Sequence, residues 1–216
     1  MSNERTRLAL KWVLIAVCTV SITALGAFVL LMTYPAKQYR AADELQARGF
    51  EIHYERQGFT GRQYPYVVIG EKLNITEDDC RLIGQLPHLQ ELLFQRCDLS
   101  GLNLDDIGNC RKLRIFHCND VTQFPVDEIR KLTDCPIHAF GFTNAHWNDY
   151  NLEEFAKWTK LEKLYLGGNA GITDAGLGHL EKIVSLRELQ LQETSVTKDG
   201  IKEFQRKRPD VKVYFE

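Results

Sequence analysis

The sequence predicts an α/β solenoid in which each turn adds one short strand to a parallel sheet and one short helical segment behind it. Three observations carry this prediction. A frame of 24 residues beginning at Pro65 recurs at Leu89, Leu113, Ile137 and Leu161, then at Leu186 after a single step of 25. The first, fourth and sixth positions of the frame are apolar in 16 of 18 instances, where the chain-wide apolar share of 44% would give about eight. The second half of each unit then carries apolar residues three apart, which places them on one helical face.

The strand half comes first. Its fourth position holds Val68, Leu92, Phe116, Phe140, Leu164 and Leu189, and its sixth holds Gly70, Phe94, Cys118, Phe142, Leu166 and Leu191. Residues two apart on a strand point the same way, so these face the helices. Continued to Asp210, the frame puts Val213 and Phe215 in the same two slots.

The helical half follows, with Cys80, Ile83 and Leu86, then Leu104, Ile107 and Cys110, then Leu152, Phe155 and Trp158, then Leu177, Leu180 and Ile183. Thr76 with Asp79 and Asn151 with Glu154 read as capping boxes, and Thr173 with Asp174 as a cap. Glu153 and Glu154 read as helix-start charge, and Arg206, Lys207 and Arg208 as the solvated end of the last helix.

These residues resemble the leucine-rich-repeat family, whose pattern is L-x-x-L-x-L-x-x-(N/C)-x-L. Leu89, Leu92, Phe94, Cys97 and Leu99 follow it, as do Leu161, Leu164, Leu166 and Asn169, and Leu186, Leu189, Leu191, Thr194 and Val196. Ile172, Thr173, Asp174, Gly176 and Leu177 are similar to the I-T-D-x-G-L punctuation of the cysteine-containing type, common in bacterial membrane-anchored repeat proteins. The likeness runs from Pro65 to the end. It departs at Gln123, where an apolar residue is expected, and in an asparagine ladder reduced to Asn169. The resemblance implies a curved sheet on a concave face with helices on the convex face. It fixes architecture better than role.

Residues 65–216 are thus expected to form the repeats with a closing strand, and residues 33–64 a helix-strand cap. Residues 36–48 have helical composition with Gly49 as the stop, and Phe50, Ile52 and Tyr54 alternate like a strand. An open stack needs its first apolar face covered, and the alternative is a disordered stalk.

Before the cap, Trp12 to Met32 is a run of 21 residues without a charged residue or histidine, long enough to cross a bilayer. Residues 1–11 form a short tail. A cleaved leader with Ala24, Leu25 and Gly26 at its cut site is the alternative, but leader cores are shorter. Arg5, Arg7 and Lys11 before the run match Lys37, Arg40 and Arg48 after it in number, and the free amino terminus with the tighter cluster leads to the expectation of the tail in the cytoplasm and the repeats outside it. Setting residues 1–36 aside removes three basic side chains of 27 and one acidic of 29, which leaves 24 against 28 and a formal charge of −4. Phosphate recognition needs concentrated positive charge, so nucleic acid is excluded as a partner.

No signature of catalysis or cofactor binding is present: no G-x-S-x-G, Walker loop, dinucleotide fingerprint or H-E-x-x-H. Neither a C-x-x-C nor a zinc spacing of cysteines with histidines occurs, so no cofactor, metal or small-molecule substrate is expected. His117 and Cys118 are adjacent on a strand and point apart. Cys97 and Cys118 are expected buried and free, and Cys110 with Cys135 is the only pair considered for a disulfide.

What remains is the outward face of the strands, at positions three, five and seven. Its first rows carry Val67, Ile69, Leu93 and Ile115 where exposure is expected, and His117, Tyr165 and Tyr214 extend it with aromatic character. Leu93 and Ile115 are expected as side-by-side neighbours on successive strands. A contiguous exposed apolar patch marks a partner site, and the alternative is that the cap covers it. The function expected is a non-catalytic, membrane-anchored module that binds another protein on this face. A structural or assembly role within a membrane complex is the alternative.

Overall fold

The computed structural model describes residues 37–57, 61–100, 102–122 and 124–215. The expected tail and the span at 12–32 lie outside them. Among the described residues no helix is long and apolar enough to cross a membrane. The chain divides into two compact units at Ala41. Of the first, only residues 37–40 are described, and they are helical.

The second unit begins in the helix α1 (37–47), which stops at Gly49 with φ +96°, the left-handed conformation that glycine tolerates. The Phe50 N–H closes the turn by donating to the Leu45 carbonyl at 3.0 Å. Strands β1 (Glu51–Gln57) and β2 (Arg62–Glu71) then pair antiparallel. From β2 onward every neighbour is parallel: β3 (Glu91–Gln95), β4 (Ile115–Asn119), β5 (Ala139–Thr143), β6 (Lys163–Tyr165), β7 (Glu188–Gln190) and β8 (Lys212–Tyr214) follow in chain order in one eight-stranded sheet. One strand and one helical segment recur every 24 or 25 residues, a leucine-rich-repeat-like α/β arrangement. β2 begins three residues before Pro65 because its extra length pairs with β1.

The inward slots form the core. The side chains of Val68, Leu92, Phe116, Phe140, Leu164 and Leu189 are all fully buried, and so are Phe94, Cys118, Phe142, Leu166 and Leu191. Val213 and Phe215 are only partly covered.

The helical segments are not uniform. α2 (Glu77–Ile83), α3 (Asp174–Leu180) and α4 (Lys198–Lys207) are α-helical, whereas η1 (Ile107–Asn109), η2 (Val126–Leu132) and η3 (Asp149–Lys157) are 3-10 turns. Apolar residues three apart suit a 3-10 turn, where i and i+3 eclipse, as well as one α-helical face, so the spacing alone does not separate them. The capping box at Thr76 and Asp79 is present, and Thr173 caps α3. The box expected at Asn151 and Glu154 is displaced by one turn. Asn148 is the cap, with its Oδ1 accepting from the Tyr150 N–H at 3.0 Å, and the Asn151 Oδ1 accepts from the Asn148 N–H at 2.8 Å. Glu154 therefore does not start a helix. It is held by both forks of Arg130 from the preceding unit, at 2.6 and 2.5 Å.

Two ladders tie successive units. At the strand ends, Lys72, Arg96, Asp120, Asn144, Gly168 and Glu193, each eighth in its frame, all take positive φ between 53° and 74° or, for Asn144, 50°. Their N–H groups extend the sheet: that of Lys72 donates to Gln95, Arg96 to Asn119 and Asp120 to Thr143, each at 2.9 Å.

At the helix starts, the Asp149 carboxylate accepts from the Thr173 N–H and hydroxyl at 2.8 and 2.6 Å. Asp174 does the same for Thr197, at 2.7 Å for each bond. This gives the T-D-x-G sequence its mechanism. Threonine caps its own helix, aspartate reaches the next threonine, and glycine leaves room for the previous aspartate, since a Cβ at Gly176 or Gly200 would collide with Asp149 or Asp174. Lys198 stands where the next aspartate would be, so this ladder ends there.

Two glycine substitutions are therefore expected to have opposite effects. Gly178, inside α3 with nothing near its missing Cβ, gains about 0.5–1 kcal/mol on replacement by alanine. Gly200→Ala displaces the Asp174 carboxylate and loses about 1–3 kcal/mol. Urea unfolding of the two variants checks the signs.

At the far end, Arg208 is not a solvated charge. Its guanidinium donates to the Ile183 carbonyl at 2.7 Å and the Leu186 carbonyl at 2.9 Å, closing the exit of α3. Arg206 and Lys207 do face solvent, paired with Glu203 and Glu181.

Candidate functional site

The register of the sheet places the outward residues in rows. One row runs Val67, Glu91, Ile115, Ala139, Lys163, Glu188, Lys212, and the next runs Ile69, Leu93, His117, Gly141, Tyr165, Gln190, Tyr214. All seven expected site residues thus lie on one face. Leu93 and Ile115 are not side by side, however. Leu93 stands opposite His117 and Ile115 opposite Glu91, because Leu93 is fifth in its frame and Ile115 third.

The apolar patch is also less open than expected. Val67 is only 7% exposed, and Ile69, Leu93, Ile115, His117, Tyr165 and Tyr214 are half-buried. Strands about 4.8 Å apart let outward side chains cover each other's flanks. Among the described residues, the large apolar side chains most open to solvent are Tyr150 at 77% and Val184 at 81%, both off this face. Strand β1 does not fold over the patch. It extends the sheet at its edge, with Glu51 opposite Ile69 and His53 opposite Val67.

His117 makes the most specific local arrangement. The next strand has Gly141 at the matching position, and the imidazole leans into that gap, so that a Cβ there would lie 2.9 Å from His117 Cδ2. It then meets Tyr165, two strands away, edge-on at 5.3 Å between ring centroids. The Nε2 atom is buried without a hydrogen-bond partner.

Burial depresses the imidazole to a pKa of about 4 from the ordinary 6.5. The folded state therefore holds fewer protons than the unfolded chain between those two values. The stability that the neutral ring contributes is fully present above pH 6.5 and is lost as pH falls through 4. His117→Phe keeps the shape and removes the titration, so its stability is expected to fall less on acidification, by up to about 2 kcal/mol at pH 4. Chemical denaturation at pH 7 and pH 4, each compared with wild type, measures it.

The cysteines carry no comparable site. Cys80, Cys97, Cys110, Cys118 and Cys135 are all buried free thiols, so the pair considered at Cys110 and Cys135 is not bridged. Both thiols of that pair reach backbone carbonyls instead. The Cys110 thiol donates to the Ile83 carbonyl at 3.6 Å, and that of Cys135 to the Gly108 carbonyl at 3.6 Å, each reaching back one unit. Burial pushes Cys110 up to about 12 and Cys118 well above the ordinary thiol value. Cys118 lies in the core while His117 lies on the outer face, so the two do not form a nucleophile and base. Among the described residues no group of three or more His, Cys, Asp or Glu is placed to hold a metal ion.

Two features were not singled out from sequence. Gly141 as the space for His117 was legible as a residue without a side chain between two rings. Glu91 was visible as an outward residue, but its lack of a partner was not.

No family model matches the chain. No curated protein matches it either. Among solved structures it is similar to internalin C2 of Listeria monocytogenes, at 16% identity and a TM-score of 0.44, covering 63% of this chain and 55% of that one. It is also similar to a leucine-rich-repeat protein of Leptospira interrogans, at 18% identity and a TM-score of 0.42, covering 62% of this chain and 39% of that one. The chain thus matches little more than half of the first and about two fifths of the second. The repeat arrangement rests on the strands and register described above, not on this likeness.

Proposed function

We propose that the chain is a non-catalytic, membrane-tethered module that binds another protein on the outward face of its sheet. The observation that carries this reading is the stripe of Ile69, Leu93 and Ile115, half-buried and partly open to solvent on a face that no described element covers. A folded sheet that keeps such residues on its polar side forgoes burial that a partner can supply. The aromatic residues Tyr165 and Tyr214 continue the stripe in the same row, with the composition that interfaces favour. The tether is read from the uncharged run Trp12 to Met32, and the basic cluster before it supports an orientation with the repeats outside the cytoplasm.

A photo-activatable side chain placed at position 93 of the full chain in its native membrane is expected to cross-link a second protein. The same group at Val184, on the other side of the unit, is expected not to. Cross-links from position 184 alone, or none from positions 93, 115 and 165, overturn the reading. Resistance of the repeats to protease added from the cytoplasmic side tests the orientation separately.

A further inference from the structure

Glu91 stands within the apolar stripe. Along its row it is bordered by Val67 on β2 and Ile115 on β4, and Leu93 follows on the same face of its own strand. Neighbouring strands are about 4.8 Å apart, so the position of Glu91 has aliphatic residues as its neighbours on three sides. It is half-buried, and among the described residues no side chain hydrogen-bonds or ion-pairs with it.

The other charged side chains of this face are engaged. Glu71 pairs with Arg96, Glu188 with Lys163 at 3.4 Å, and Glu51 with His53 at 2.8 Å, while Lys212 lies over the Tyr214 ring at 4.6 Å. Among the charged side chains of the described residues of the face, Glu91 is the one left without a partner. An unpaired carboxylate hemmed by apolar groups is satisfied only by water in the free protein, and any apolar partner that covered the stripe would strip that water away.

We infer that the partner brings its own cation: an arginine or lysine, carried between apolar side chains, that docks on Glu91 while its neighbours cover Leu93 and Ile115. Arginine suits the place best. Its planar fork matches a carboxylate with two parallel hydrogen bonds, and its weakly hydrated face lies easily on aliphatic groups. Covering the pair with apolar contacts lowers the local dielectric and strengthens it. A phosphate-bearing ligand meets repulsion at the same spot. The inference rests on the reading that this face binds protein, and adds the chemistry of the residue at its centre.

Random peptides of about a dozen residues, displayed on phage and selected on the full chain in detergent, provide the probe. Face-dependent peptides are those that lose binding to the Leu93→Asp protein, or to Leu93→Ser should the aspartate variant misfold by circular dichroism. They are expected to carry arginine or lysine flanked by apolar residues, and to bind Glu91→Gln, a substitution of the same shape, at least about tenfold more weakly. Replacing the basic residue of such a peptide by glutamate is expected to abolish binding to wild type and to restore it on Glu91→Arg. Face-dependent peptides without a basic residue, or with affinity for Glu91→Gln within about twofold of wild type, overturn the inference and leave the face as a protein-binding surface. Selection that yields no face-dependent peptide overturns both.

Discussion

Phe142→Ala is expected to remove about 3–5 kcal/mol from the stability of the repeat unit. Phe142 is fully buried in β5, at the sixth position of its repeat frame, where five other aromatic rings converge on it. Its ring stacks on Trp147 at 4.0 Å between centroids and lies 4.9 Å from Phe124, 5.7 Å from Phe140, 6.1 Å from Phe116 and 6.2 Å from Phe155. Phe140 also meets Trp158, edge-on at 4.6 Å. Removing one ring from the middle of this cluster leaves a cavity that its rigid neighbours cannot close. Domains of this size are stable by only about 5–15 kcal/mol, so the loss is a large part of the whole.

The expected fall in melting temperature is on the order of 10 °C. Unfolding can be followed through Trp147, whose indole stacks directly on the deleted ring. Gln95→Ala, half-buried on the opposite face of the sheet, is the control and is expected to change stability by no more than about 0.5 kcal/mol. Because repeats are coupled only to their neighbours, a two-step transition in the variant is also expected, with the terminal units outlasting the middle. Equal melting of the two variants would mean that the aromatic cluster does not hold the stack.

The same cluster shows where sequence reasoning reached and where it stopped. Phe94, Phe116, Phe140 and Phe142 all occupy inward slots of the 24-residue frame, so their burial was legible from period alone. Their contact with one another was not, because it depends on the lateral register of strands, which a period defines only when positions are counted within each unit. The pairing expected between Leu93 and Ile115 failed for that reason, since each was compared across strands by its apolar character rather than its place in the frame. Val67 misled differently. Its position marked it as outward, but exposure depends on neighbours, and a side chain flanked by His53 and Glu91 is covered without facing the core.

The helical side was harder still. Three-residue spacing fits both α and 3-10 geometry, and the start of η3 was set by Asn148 rather than by the acidic pair that follows it. The sheet face divides along the same line. Which residues point outward was readable, but Glu91 acquires its interest only when every other charge on that face is seen to be paired.

Asn169→Asp, which changes a single atom type in the core, is expected to be more damaging than removal of the side chain at neutral pH, and its damage is expected to shrink in acid. Asn169 is 1% exposed and uses both ends of its amide. The Oδ1 atom accepts from the N–H groups of Ala145 and Trp147 at 3.0 Å each, and the Nδ2 group donates to the carbonyls of Phe142 at 2.6 Å, Leu166 at 2.8 Å and Gly167 at 3.3 Å. The side chain thereby stitches the unit of β5 to the unit of β6, where Cys97 at the same position three units earlier has only a thiol directed at Gly70 and Gln95. Asn169→Ala leaves these backbone groups unpaired and is expected to lose about 3 kcal/mol, because each orphaned buried group costs about 1–3 kcal/mol and neighbouring ones can share water or relax together.

Aspartate keeps the acceptor but turns the donor into a second oxygen aimed at carbonyl oxygens, inside a core that also disfavours the charge. Both effects raise its folded-state pKa above the unfolded value of about 3.9. The folded variant therefore binds more protons than its unfolded chain above that value, so its stability relative to wild type is greatest at low pH and falls as pH rises through the raised pKa. Urea unfolding of wild type, Asn169→Ala and Asn169→Asp at pH 4.5 and pH 8 separates the cases. The aspartate variant is expected to be the least stable of the three at pH 8 and to recover at least about 1 kcal/mol relative to wild type at pH 4.5. A deficit that is the same at both pH values, or smaller than that of alanine at pH 8, would show that this amide does not bridge the two units.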